Sequence, residues 1–193
     1  MELKEQNLKA AYAVADENLK PVLRAMFPDA DLTEYNRPVT DRIRTFEDAV
    51  EALGNHPFVN QYRRITEEQN PPMDETARDL VAYLKLRIVV AALNEGWEPK
   101  FTEDEVRYVP WHILWTTDEL AQKSEEWKRD RCLIPTGDYV TEYAGLAYAC
   151  SRRAPSYTSA SIGSRLCLKS DELATFCGKQ FIELWADFWL LRR

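Results

Sequence analysis

Two histidines, six glycines and four cysteines in 193 residues leave few routes to familiar active-site chemistry. Histidine is the usual base beside a serine or cysteine nucleophile, and here it could come only from His56 or His112. No serine stands in a G-x-S-x-G turn. Cys132, Cys150, Cys167 and Cys177 lack the paired spacing of a zinc knuckle, and no H-E-x-x-H helix is present, so no metal and no cofactor is implied. The same spacing reads as reduced thiols, with Cys167 and Cys177 inside predicted elements. Gly178-Lys179-Gln180 has no upstream glycines to cradle a phosphate and falls within a helical pattern, which makes Lys179 a surface lysine. No apolar run reaches the roughly 18 residues of a membrane span. The opening MELKEQNLKAAYAVADENL is charged from its second residue and has no signal-peptide core, so the expected location is cytoplasmic. Neither an internal repeat nor a low-complexity segment is present.

Acidic charge is plentiful. Thirty-two acidic against 25 basic residues give a formal net charge of -7, which opposes broad binding to nucleic acid or an anionic membrane but leaves room for a local basic patch. The carboxylates of Glu103, Asp104 and Glu105, and of Glu125 and Glu126, read as solvated faces or helix caps rather than as an acid pair in a cleft. The length fits one domain with a core that needs no staples. EEQNPPMDE, Glu67 to Glu75, is the clearest linker and the place for a weak boundary within that single domain.

Helical patterns come first along the chain. Leu8, Ala11, Tyr12, Ala15, Leu19, Val22, Leu23 and Met26 share a stripe that Pro21 kinks or restarts near Leu19 and Pro28 ends. Residues 28 to 41 read as loop. Thr45 caps a short helix, Glu47 and Asp48 occupy its positive first turn, and Gly54 stops it. Asn55 to Met73 carries only a weak pattern. Asp74 to Glu95 is a long helix, apolar nearly all round in its later turns through Leu86, Val89, Val90 and Leu93, and therefore central. The heaviest aromatic cluster lies in a second long helix, capped by Ser170 and running to Leu191. Leu173, Cys177, Phe181, Leu184 and Phe188 form its stripe, and Phe176, Ile182, Trp185 and Trp189 widen it, which demands partners on two sides.

Strand patterns cover Arg107 to Trp115, Tyr143 to Ser151 and Arg165 to Leu168. Pro110 puts the first at a sheet edge or a bulge. In the second, Tyr148 and Cys150 fall on one face; in the third, Leu166 and Leu168 alternate against an outward Arg165. Thr116 to Arg131 is polar, with a short exposed helix or an insertion in its second half. The expected fold is α+β, a small antiparallel sheet of about three strands carrying the 74–95 and 170–191 helices on one face.

The stretch between the second and third strands, SRRAPSYTSASIGS, is the richest in contact groups. Arg152 and Arg153 enter it, Ser156, Tyr157 and Thr158 lie along it, and Arg165 closes it. Guanidinium forks and hydroxyls suit phosphate, and tyrosine stacks on a base; the same arginines also suit carboxylates of a protein partner or of the chain itself. Trp97, Trp111 and Trp115 offer an aromatic platform for carbohydrate, although core packing absorbs tryptophans readily.

LNEGWEPKF, RYVPW, TDRIRTFEDAVEALG and above all GSRLCLKSDELATFCGKQFIELWADFWLL resemble a protein family found in gut bacteria of the Bacteroides group and in their phages and prophages. The resemblance covers well over half the chain but not Trp115 to Tyr139. It implies a phage or prophage setting, in host cytoplasm or virion, and no particular chemistry. Together these features point to a non-enzymatic protein that binds a macromolecule, a protein in preference to nucleic acid, as a virion-associated or host-interfering factor. Nucleic-acid binding through residues 151–165 and carbohydrate binding through the tryptophans are the alternatives.

Overall fold

A computed structural model describes residues 8, 11–12, 15–16, 18–28, 37–66, 77–100, 102, 104–155 and 164–193. The chain forms two compact units, Met1–Ile43 and Arg44–Arg193; the 67–75 tract, where a weak boundary is expected, lies outside the described residues. The first unit contains α1 (Leu19–Met26) and the single turn α2 (Val39–Arg42). Pro21 sits in the first turn of α1, where its missing N–H costs nothing. Leu8 and Tyr12 are buried there with Leu23 and Phe27, and the Arg24 guanidinium lies 5.3 Å from the centre of the Tyr12 ring.

The second unit is an α+β assembly. Its helices are α3 (Phe46–Leu53), α4 (Pro57–Thr66), α5 (Arg78–Asn94), α6 (Thr117–Ala121), α7 (Glu125–Asp130), α8 (Asp171–Gln180) and α9 (Ile182–Trp189). Its strands, β1 (Val106–Trp115), β2 (Ile134–Pro135) and β3 (Gly145–Pro155), form an antiparallel sheet in the order β1-β3-β2. Thr45 starts α3 through a capping box: the Asp48 N–H donates to Thr45 Oγ1 at 3.1 Å and the Thr45 N–H to Asp48 Oδ2 at 2.8 Å. The weakly patterned 55–73 region contains α4, with Pro57 at its first position.

Helix α5 is the centre of the helical layer. Ala82, Leu84 and Leu86 through Val90 are buried, as are Ala92, Leu93 and Asn94. It packs against α3, α4 and α9, while α8 lies on β1 and β3. The expected single 170–191 helix breaks at Phe181, whose φ of -113° and ψ of 31° leave the helical region. The apolar stripe is too wide for one partner, and the break lets α8 face the sheet while α9 faces α5. Trp185, fully buried, stacks on Trp189 at 6.0 Å and meets the His112 ring at 5.8 Å.

Two strand expectations are corrected. Arg165 to Leu168 is not a strand: Ser164–Leu166 is a 3-10 turn, and only Leu168 pairs, in a bridge with Tyr108. Leu166, Cys167 and Leu168 are consecutively buried, which alternation cannot produce. The Asn94 side chain holds this segment, donating from Nδ2 to the Cys167 carbonyl at 2.9 Å and accepting the Lys169 N–H at 3.1 Å. The third sheet member is β2 instead. Nor do Tyr148 and Cys150 share a face. Trp111 pairs with Cys150 and His112 with Tyr148, so Ala149 is an extra residue, a bulge that reverses the alternation of β3. Tyr148 is buried and Cys150 exposed. Arg131 satisfies the bulge: its carbonyl accepts the Tyr148 N–H at 2.9 Å and its guanidinium donates to the Ala149 carbonyl.

Candidate functional site

The two ends of the arginine-rich stretch lie in different surroundings. At its start, β3 places Arg152 opposite Val109 and Cys150 opposite Trp111. The guanidinium of Arg152 lies over the Trp111 ring, 3.9 Å from its centre. Trp111 and Ile113, two residues apart on β1, are 37% and 41% exposed, and both lie on the sheet face turned away from α8. The bulge at Ala149 makes this possible, because it turns Cys150 and Arg152 outward while Tyr148 remains in the core. Ser151 Oγ donates to Asp171 Oδ1, tying the stretch to the first turn of α8. Arg153 is described by its backbone alone, paired with Tyr108. Ser156, Tyr157 and Thr158 lie outside the described residues.

At the far end, the 3-10 turn buries Leu166 and exposes Arg165. Arg165 leaves this turn, not a strand, and borders a cavity of about 360 Å³ shared with His56, Phe58, Val90, Ala91, Asn94, Trp97, Glu98 and others. Its walls follow from local sequence. Glu95 (φ 49°) and Gly96 (φ 87°) both adopt left-handed backbone after α5, and the Trp97 N–H returns to the Asn94 carbonyl at 3.0 Å. That turn brings the indole to the cavity. His56 precedes Pro57 at the start of α4, and its Nδ1 accepts the Phe58 N–H at 3.1 Å. A neutral ring that accepts at Nδ1 carries its proton on Nε2, a donor.

Electrostatics here favour an anion. Burial lowers the His56 pKa below its usual 6.5, with Glu98 pulling it up and Arg87 pushing it down. Arg87 is 9% exposed; its guanidinium lies 4.0 Å from the centre of the Phe58 ring and donates from Nη1 to Gln61 Oε1 at 3.1 Å. Its Nε has no hydrogen-bond partner among the described residues. Burial above all, then Tyr83 in the opposite sense and the like charge of Arg165, acts on the Arg87 pKa, which is lowered. The chain thus holds two guanidinium groups within electrostatic reach of each other in an acidic protein.

The remaining sequence candidates separate. Trp97 borders this cavity, Trp111 lies beside Arg152, and Trp115 meets Trp127 edge-on at 5.1 Å with Lys123 over both rings. The three do not share one platform. No cluster of metal-ligating side chains occurs among the described residues. His112 Nε2 donates to the Gly178 carbonyl at 2.9 Å inside the core, and burial lowers its pKa. Sequence reasoning missed the grouping of His56, Phe58, Arg87 and Trp97 with Arg165. The available signals were Pro57 at a helix start and the N-E-G-W turn; nothing local joins them to residue 165. No family model, curated protein or solved structure matches the chain.

Proposed function

We propose that the protein works by binding a macromolecular partner, a protein in preference to a nucleic acid, through the outer face of β1 and β3 and the stretch that follows Arg152. The observation that carries this reading is the exposed Arg152–Trp111 pair beside exposed Ile113. Tryptophan and arginine dominate the energetic centres of protein interfaces. A ring already held by its arginine loses less freedom on contact than a mobile one. The pair also suits a nucleobase, but the net charge of -7 opposes the phosphates around it. The family resemblance supports a phage or prophage setting, with a virion or host protein as the partner.

The test joins capture to nucleic-acid titration. The full chain and its Trp111→Ala and Arg152→Ala variants are used as baits against lysate of a gut Bacteroides-group host, and the captured proteins are identified. Fluorescence anisotropy follows single- and double-stranded probes at low salt. A protein retained by the parent chain and lost with either variant supports the reading. A strict monomer that retains nothing counts against it. Salt-sensitive probe binding at about micromolar protein that is lost in Arg152→Ala would replace it with the nucleic-acid alternative.

A further inference from the structure

We propose that the cavity bordered by Arg165, His56 and Trp97 binds the carboxylate of a ligand that carries a flat apolar group, such as a peptide C-terminus ending in an apolar residue or a small aromatic acid. The site is separate from the Arg152–Trp111 surface and does not depend on a role for it.

Three independent features converge. The first is charge. Arg165 is exposed at the cavity and makes no ion pair or hydrogen bond among the described residues. Arg87 stands close enough for the two cations to repel, and its buried Nε lacks a partner among the described residues. An anion at Arg165 relieves that repulsion. The second is donor geometry. His56 Nδ1 is committed to the Phe58 N–H, so a neutral imidazole of this lining residue has Nε2–H left as a donor. Asn94 spends its Oδ1 on the Lys169 N–H and one of its two amide N–H groups on the Cys167 carbonyl. The third is the lining. Phe58, Val90, Ala91 and Trp97 supply apolar and aromatic surface in about 360 Å³, near the lower end of small-ligand pockets. That volume takes one ring and an acid group rather than an extended molecule.

The balance of charge selects a carboxylate over a phosphate. Arg165 is the one cationic side chain among the described lining residues, and exposed Glu98 borders the same cavity. One guanidinium fork and neutral donors match a single negative charge. A dianion would meet Glu98 with too few cations to offset it.

The Trp97 indole N–H, assigned with Trp97→Phe, reports binding by nitrogen–proton NMR of the full chain. The probes are N-acetyl-L-phenylalanine, its C-terminal amide, 3-phenylpropanoate and phenyl phosphate. N-acetyl-L-phenylalanine should shift the Trp97 signal with a dissociation constant on the order of a millimolar, as suits one ring and one charge. The amide should not. Arg165→Gln should weaken the acid about tenfold or more, through loss of a charged hydrogen bond, while leaving the melting temperature unchanged. Trp111→Ala should leave the titration intact. Tighter binding of the acetylated amino acid than of 3-phenylpropanoate supports the site with a peptide terminus as its ligand; equal binding supports it with a small acid. Equal binding of acid and amide, tighter binding of phenyl phosphate, titration that survives Arg165→Gln, or no shift with any probe would each overturn the proposal.

Discussion

Gly178→Ala separates two opposing physical effects. In an exposed helix interior, alanine in place of glycine is worth about 1 kcal/mol of stability. Gly178, however, faces the sheet inside α8. A Cβ there would lie 2.6 Å from Pro110 Cβ and 2.8 and 2.9 Å from ring carbons of Tyr148. None of these atoms can swing away. The Pro110 Cβ belongs to a ring fixed in the backbone of β1. The Tyr148 ring is buried and tethered through its hydroxyl to Thr175 Oγ1 at 2.8 Å. Helix and sheet must therefore separate, which also stretches the 2.9 Å contact from His112 Nε2 to the Gly178 carbonyl. Overpacking of this kind costs about 1 to 3 kcal/mol and the strained hydrogen bond about another 1 kcal/mol. After the helical gain, the expected net loss is about 1 to 3 kcal/mol. Urea denaturation of the full chain measures it, with an unchanged slope expected. Combined with Tyr148→Leu, the loss should be smaller than the sum of the two single losses, because the shorter side chain vacates part of the contested space. A Gly178→Ala chain as stable as the parent, or more stable, would refute the close helix–sheet approach.

Asn94→Ala should cost about 2 to 4 kcal/mol in the same assay, because it leaves the Cys167 carbonyl and Lys169 N–H of a buried segment unpaired. Leu166→Ala should cost about 2 to 5 kcal/mol as a cavity, whereas Arg165→Ala, exposed and unpaired among the described residues, should cost under about 1 kcal/mol; equal losses would make Arg165 a structural anchor. Burial lowers the His112 pKa from 6.5, so as pH falls through that value the unfolded chain takes up a proton that the folded chain resists. Stability should therefore drop as pH falls through 6.5 and level off below the folded pKa. His112→Gln should flatten the drop, leaving the part of the same sign that His56 supplies.

Local signals account for much of the architecture. The Thr45 and Ser170 caps, the stop after Leu53, the break before Leu19 and the apolar circumference of α5 each arise from residues within one or two turns of one another. The sequence was equally sufficient for the α+β class and for Pro110 at a sheet edge, since proline gives an edge strand no N–H to leave unpaired. At α4 the pattern failed because apolar positions are sparse, and its start rests on Pro57 and the His56 ring.

What only the tertiary structure decided are the features made by long-range contact. The bulge at Ala149 is one: no glycine or proline marks it, and it is satisfied by Arg131, which the chain reaches only after folding. It reverses the side-chain alternation and so places Arg152 over Trp111, where uninterrupted alternation grouped Cys150 with buried Tyr148. The 164–168 segment is another. Its alternating leucines fit a strand, but the Asn94 amide from α5 offers its backbone a hydrogen-bond partner that pairing with a strand would otherwise supply. The cavity at Arg165 draws on residues 53 to 58, 90 to 99 and 165, three stretches whose spacing in sequence carries no information about their meeting. A capping residue acts on backbone groups a turn away, so composition and order suffice to find it. A binding cavity is a coincidence of distant surfaces, and only the packing of α4, α5 and the 3-10 turn brings those surfaces together.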